Sequence, residues 1–279
     1  MSIKIIADST SDIPADLIKE YGIEVVPLTV NFEDKSYLDK VEITSEEFFE
    51  KLAKAEKLPT TSQASPGAFA EVFEKELEKG NEILAILISS KFSGTYESAI
   101  MAKNMLDSDK IHIIDSQTAC LGGCILILEA VKLVNEGLSM TEIVEKLETM
   151  KSKVAIYAGV DTLKYLEKGG RLSKGAATFG TLLNIKPILR VQNSKIESID
   201  KVRGKNKVLK WLEDYIEKNV NPENKTIAVY HSVNEESAMV LKNLIMEKYN
   251  AKDVFIGEIG SVIGTHVGPN AIAIGFLED

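Results

Sequence analysis

The chain has 279 residues, 44% of them hydrophobic, and a formal net charge of −9. That is enough for one large or two moderate domains with a substantial core, and too acidic overall for general nucleic-acid binding. No apolar run is long enough for stable membrane insertion and the start lacks a secretory pattern; with two cysteines and three histidines, no metal cluster is expected, and a reduced, cytoplasmic setting is.

Residues 3 to 7 form a short apolar strand that ends in Asp8-Ser-Thr-Ser-Asp12. Pro14 then opens a helix to Tyr21, with Ser11 or Asp12 as its cap. The two aspartates could hold a metal, but a helix start accounts for them as simply. Ile23 to Phe32 looks like one strand, and Pro27 within it signals an edge or a bulge. Thr44-Ser-Glu-Glu47 has capping-box spacing and opens a helix to Ala55. Leu58 to Gly67 is a hydroxyl-rich loop, whose Ser65-Pro66 reads as N-cap and first residue of a helix ending near Gly80.

The run Ile83 to Ser89 is continuously apolar until its end, as expected of a buried parallel strand. A helix follows it to about Leu106, and the turn between them, Ser89-Ser-Lys-Phe-Ser-Gly-Thr95, is rich in hydroxyls. Ligands of parallel sheets bind beyond the carboxyl ends of the strands, at helix N-termini, so Ser93 is placed to be both N-cap and ligand donor. A strand at 111–115, an apolar helix from Thr118 to Asn135 holding Cys120 and Cys124 on one face, and an amphipathic helix from Ser139 to Lys151 complete an α/β unit with a parallel sheet covered on both faces. His112 alternates with apolar neighbours and reads as structural.

From Val154 the texture changes to strands near 154–160, 187–192 and 195–202, with Gln192-Asn-Ser-Lys195 as a hairpin turn and a short apolar stretch, 176–184, before them. Helices at 205–219 and 234–249 alternate with strands at 225–232, 253–259 and 271–277. Gly260 to Pro269 reads as a Gly-flanked polar loop that presents His266, whereas His231 ends a strand and its role stays open. The expected division is therefore an α/β domain over 1–150 and an α+β domain over 151–279. Residues 162 to 210 hold twelve Lys or Arg against three Asp or Glu, a candidate face for an acidic partner or a phosphate.

Four polar patches could hold a carboxylate or a phosphate: Thr60-Thr-Ser-Gln63, Ser89 to Thr95, Gly169-Gly-Arg171 and Gly264-Thr-His-Val-Gly268. Ser93 and His266 also fit two members of a hydrolytic triad, which makes a serine hydrolase of acyl esters the alternative reading. G-x-S-x-G is absent, however, no third member is marked, and no P-loop occurs to suggest a kinase or ATPase.

Taken in order, Asp8-Ser-Thr-Ser-Asp12, Thr61-Ser-Gln63 with Ser65-Pro66, Ser90-Lys-Phe-Ser-Gly-Thr-Tyr96, Gly169-Gly-Arg-Leu-Ser173 and Gly264-Thr-His-Val-Gly-Pro269 resemble the DegV family over essentially the whole chain. Ala64 departs from it, standing where that family often has proline. The resemblance implies a long-chain fatty acid such as palmitate bound in a tunnel between the two domains, without cofactor or metal and without chemistry of the chain's own. It implies carboxylate contacts from Thr61 and Ser93, with Arg171 and His266 in the surrounding network. It further implies presentation of the acid to a separate ATP-using fatty acid kinase, feeding phospholipid synthesis, with Arg203 helping to dock that partner.

Overall fold

The computed structural model describes residues 2–172, 184–221, 226–249, 251 and 253–278. Ser173, most of the apolar stretch expected at 176–184 and Lys225 lie outside them.

Strand β1 (Ile3–Asp8) runs into a 3-10 turn, Ser9–Ser11, and then α1 (Ala15–Tyr21). Neither Ser11 nor Asp12 caps α1, because Pro14 occupies the N-cap position. The expected strand over 23–32 is divided at Pro27 into β2 (Glu24–Val26) and β3 (Thr29–Asn31), which join different sheets. Proline cannot donate to a ladder, so the chain changes partners there. The short β4 (Ser36–Leu38) precedes α2 (Ser45–Lys54), whose Thr44 and Glu47 form the expected capping box. What reads as a hydroxyl-rich loop contains β5 (Thr60–Ser62), paired with β3. Ser65 then caps α3 (Pro66–Glu78), with Pro66 in its first turn.

Strand β6 (Glu82–Leu87) leads to α4 (Thr95–Leu106), and β7 (Ile111–Asp115) to α5 (Leu121–Asn135). Cys120 lies outside α5, as its N-cap residue at φ 50°, so the two cysteines do not share a helix face. After α6 (Met140–Met150) the chain enters β8 (Val154–Gly159) and α7 (Lys164–Gly169). The hairpin of β9 (Ile185–Gln192) and β10 (Lys195–Arg203) turns at Asn193 and Ser194, both at positive φ as a two-residue turn requires. There follow α8 (Lys205–Asn219), β11 (Thr226–His231), α9 (Glu235–Tyr249), β12 (Asp253–Glu258), α10 (Ser261–Val267) and β13 (Ile272–Leu277).

Among the described residues these strands form a parallel sheet in the order β2-β1-β6-β7, a mixed sheet in the order β10-β9-β8-β13-β11-β12, and a small antiparallel sheet β4-β3-β5. In the parallel sheet, Ile83 to Leu87 are all buried, with α3 and α4 (Phe69, Phe73, Ala99, Ala102) on one face and α5 on the other. Strand β8 sorts its side chains by parity. Ala155 and Tyr157 face α8, while Ile156 and Val160 share a core with α5. The apolar helix α5 thus lies between the two large sheets, which explains why its sequence has no polar face. No described helix is long and apolar enough to cross a membrane.

Candidate functional site

In the parallel sheet, β1 has β2 on one side and β6 on the other, so chain direction diverges between β1 and β6. Crevices at such switch points, beyond the carboxyl ends of the strands, are where ligands of this architecture sit. Here Asp8 ends β1 and its Oδ2 accepts the Ile88 N–H just after β6 (2.7 Å), tying both strand ends together. A cavity of about 390 Å³ opens against this crevice, within the ~300–1,000 Å³ usual for small-molecule sites.

Its long wall is apolar. Alternate residues of the mixed sheet supply it, namely Ile156 and Ala158 on β8, Leu189 and Val191 on β9, and Ala273 on β13. Facing them are Ile88, Phe92 and Leu121 from the parallel-sheet side. Thr61, Ser93, Arg171 and His266 all line this same cavity, and Ser62 and Gln63 join them. Four patches spread over two hundred residues of sequence thus converge on one site. Arg203 is not part of it; it ends the edge strand β10 and is exposed.

The polar residues hold one another in place. Thr61 Oγ1 lies 3.0 Å from His266 Nε2. The other ring nitrogen, Nδ1, is buried without a hydrogen-bond partner among the described residues and packs on Gly169, where an added Cβ would come within 2.2 Å of it. Burial, and secondly the neighbouring Arg171 guanidinium, push the His266 pKa down to about 4, so the ring is neutral at ordinary pH. Arg171 donates from Nε to the Phe92 carbonyl (3.0 Å) and from Nη1 to that of Gly169, which bridges the turn after β6 to the turn after α7.

Ser93 differs from its expected role. The N-cap of α4 is Gly94, and Ser93, one residue earlier, accepts the Thr95 N–H (3.2 Å) and shares a hydrogen bond with the Thr95 hydroxyl (2.9 Å). Gly94 has no room for a side chain, since a Cβ there would meet Gln63 Oε1 at 2.0 Å. The Gly260 to Pro269 segment is not a loop either, because α10 occupies most of it. Its glycines serve close packing. A Cβ on Gly264 would strike Phe49 and Phe48, at 2.7 and 2.8 Å.

A hydrolytic relay is not assembled. Ser93 Oγ is engaged with Thr95, His266 Nε2 with Thr61, and among the described residues no carboxylate reaches His266 Nδ1. Among the described residues no His, Cys, Asp or Glu group is arranged to hold a metal ion. His112 is partly buried on β7, and its pKa is lowered first by burial, as its structural reading expects. His231 is buried away from the cavity, its Nδ1 facing the Asn234 N–H at 3.4 Å. The basic 162–210 segment is partly neutralised, as Lys186 pairs with Asp161, Arg190 with Glu278, and Lys210 with Glu213 and Asp214.

The polar lining of the cavity stands out in the sequence as hydroxyl- and glycine-rich patches, whereas the residues of its apolar wall do not. The wall left a signal nonetheless. Val154 to Val160 is apolar on both strand faces, although only one of them packs under a helix of its own half.

A family model described as "Uncharacterised protein, DegV family" matches residues 2–279. A DegV domain-containing protein of Caldanaerobacter subterraneus subsp. tengcongensis is 41% identical over 277 residues, 99% of each chain. Among solved structures, a fatty-acid-binding DegV family protein of Thermus thermophilus superposes with a TM-score of 0.90 at 33% identity, covering all of both chains. A stearic-acid-binding protein of Eubacterium ventriosum does so with a TM-score of 0.90 at 28% identity, over 100% of this chain and 98% of that one.

Proposed function

The chain belongs to the DegV family, and from that membership and the cavity together we propose that it binds a long-chain fatty acid, carboxylate at the Thr61, Ser93, Arg171 and His266 end and tail along the mixed-sheet wall. The observation that carries this reading is the division of one cavity into a single polar end and an otherwise apolar lining. A carboxylate needs donors and positive charge at one point, and an acyl tail needs none anywhere else.

The geometry supports a set of donors for that head group. With Nδ1 packed on Gly169 and unpartnered, the proton of neutral His266 belongs on Nε2, because an orphaned buried N–H is the rarer and costlier arrangement. Nε2–H then donates to Thr61 Oγ1, and the Thr61 hydroxyl proton is left to point at a ligand oxygen. Ser93 gives a second hydroxyl if Thr95 donates to it, and Arg171 keeps its charge at the same end while its Nε and one Nη1 proton hold the walls. Tail burial supplies most of the affinity. A hexadecanoate tail of about 14 methylenes at ~0.8 kcal/mol each gives a gross ceiling near ~11 kcal/mol, reduced by the entropy of ordering the chain.

The same proposal takes the chain as a carrier rather than a catalyst, cytoplasmic, and built as a 1–150 unit and a 151–279 unit with the ligand between them. A separate ATP-using kinase phosphorylates the presented carboxylate, for use in phospholipid synthesis, and docks through the exposed Arg203. Protein purified from a bacterial host and gently denatured should release fatty acid in near-stoichiometric amount, measured by mass spectrometry of the extract. Several preparations free of acyl chains would remove the lipid assignment, and labelling of Ser93 by a fluorophosphonate would replace it with the hydrolase reading. For the docking face, lipid-loaded Arg203→Glu should keep its fatty acid and lose acyl phosphate formation with the kinase, most steeply at low salt. Wild-type rates at low salt would take Arg203 out of the interface.

A further inference from the structure

The Asp8-Ser-Thr-Ser-Asp12 turn ends in an acid that the reading above does not use. Asp12 is 2% exposed, and although its backbone closes the Ser9–Ser11 turn, its carboxylate caps neither that turn nor α1. Its Oδ1 accepts the Gly260 N–H (3.0 Å) and pairs with Lys40 Nζ (2.9 Å), while its Oδ2 takes the Cys120 thiol (3.2 Å). Its backbone carbonyl accepts the Tyr230 hydroxyl (3.0 Å). Beside it, Asp39 Oδ1 accepts both the Ser261 N–H (3.1 Å) and the Ser261 hydroxyl (2.6 Å). Two carboxylates from loops of the first forty residues therefore grip the first turn of α10.

We infer that Asp12, backed by Lys40 and seconded by Asp39, is a positioning residue for the carboxylate site: it fixes the start of α10 and so sets where His266 meets Thr61. The inference rests on the head-group reading above. A helix of seven residues does not hold its own place in solution, so tertiary contacts must place α10. Acids are the groups suited to the free N–H donors of a helix start. The fit at Gly260 leaves no slack, since a Cβ there would lie 2.5 Å from Asp12 Oδ1. His266 follows Ser261 by about one and a half helical turns, on a segment further tied by the Thr265 hydroxyl to the Ser261 carbonyl (2.8 Å). A tilt of α10 at its start therefore moves the imidazole away from Thr61. Cys120, the third partner of Asp12, lines the acyl cavity, so the same acid braces the polar end and the apolar wall.

The test compares hexadecanoate with hexadecan-1-ol, which share a tail length and differ in the head group. Wild-type protein should prefer the acid. Asp12→Ala, melting well above the assay temperature, should keep the alcohol affinity within about twofold and lose about tenfold or more of the acid preference. Asp12→Asn should recover most of it, because its amide oxygen still accepts from Gly260. The ¹⁵N shifts of the His266 ring should move in Asp12→Ala and return in Asp12→Asn. If Asp12→Ala does not fold, Ser261→Ala, which removes only the hydroxyl to Asp39, should lower the acid preference by about two- to fivefold. An acid preference unchanged in the folded variant, or acid and alcohol lost in equal proportion, overturns the inference while leaving the head-group reading standing. Wild-type protein that holds both ligands equally would overturn the head-group reading and the inference with it.

Discussion

One methyl group at Gly169 tests the head-group geometry more sharply than removal of any ligand-facing side chain. Gly169 ends α7 in a conformation open to any L-residue, and alanine there favours the helix by about 0.5–1 kcal/mol over glycine. The added Cβ, however, would sit 2.2 Å from His266 Nδ1 and 2.9 Å from Cε1, where ordinary contact begins at 3.4 Å. The ring must retreat by more than an ångström. It cannot slide toward Thr61, since a hydrogen bond of 3.0 Å has no such distance to give up. It must rotate out and abandon Thr61, which frees that hydroxyl to turn away from the ligand. Losing one oriented donor to a carboxylate costs about 1.5–3 kcal/mol, or about 10- to 150-fold in affinity. Displacement of a fluorescent fatty acid by hexadecanoate and by hexadecan-1-ol should show this loss for the acid alone. Gly170→Ala is the control. It strains a residue at φ 70° but meets nothing within 4 Å, so it should lower stability and spare the acid preference. Wild-type acid affinity in Gly169→Ala would refute both the packing argument and the place given to His266.

Ser93→Ala and Thr61→Ala should each weaken fatty acid binding by about 1–3 kcal/mol in titration calorimetry while the tail still binds; complete loss in a folded variant would show that the tail carries less than argued. The folded-state pKa of His266, about 4, lies below its ordinary 6.5, so between those values the unfolded chain holds a proton that the folded chain does not. Stability from this residue is thus full above pH 6.5 and is lost as pH falls through 4, by about 3 kcal/mol. Urea midpoints across that window should be flatter for His266→Gln, and an equal slope would deny His266 its buried, neutral state. Ala273→Leu should fill part of the apolar wall and weaken the longest acids by about 1–3 kcal/mol, read as a shift of the extracted lipid toward shorter chains; an unchanged profile would place the tail elsewhere.

Much of the fold was legible because local chemistry and tertiary structure agree. Thr44 with Glu47, Ser65 with Pro66 and the Asn193-Ser194 turn each declare an element boundary by a backbone requirement that does not depend on the rest of the molecule. The failures share another cause. Strands β4 and β5 are three residues each, too short for periodicity, and exist only because β3 lies between them. Helix α10 hides behind Gly260, Gly264 and Gly268, which look like loop residues until Asp12, Phe49 and Tyr165 are found pressing on them. Ser93 lines the cavity but is not the cap its sequence suggests, since a shift of one position is decided by packing around Gly94 and Gln63. The convergence of Thr61 with His266 left no trace in either local segment.

That convergence has a consequence for the order in which the protein comes into being. Thr61 and His266 are 205 residues apart, and Asp12 and Gly260 248. At about 5–20 residues per second of synthesis, roughly 10–40 s separate the two halves of the carboxylate pocket as they leave the ribosome. Early in that interval the parallel sheet can form, but its crevice faces water until β8 and β9 have followed, and the opposing wall stays incomplete until β13 is made. A growing chain is therefore a sticky, unselective hydrophobic surface before it has an enclosed cavity. Premature stops anywhere before α10 should accordingly produce aggregation-prone chains rather than weak binders, with the missing last few per cent of the sequence costing all of the head-group recognition.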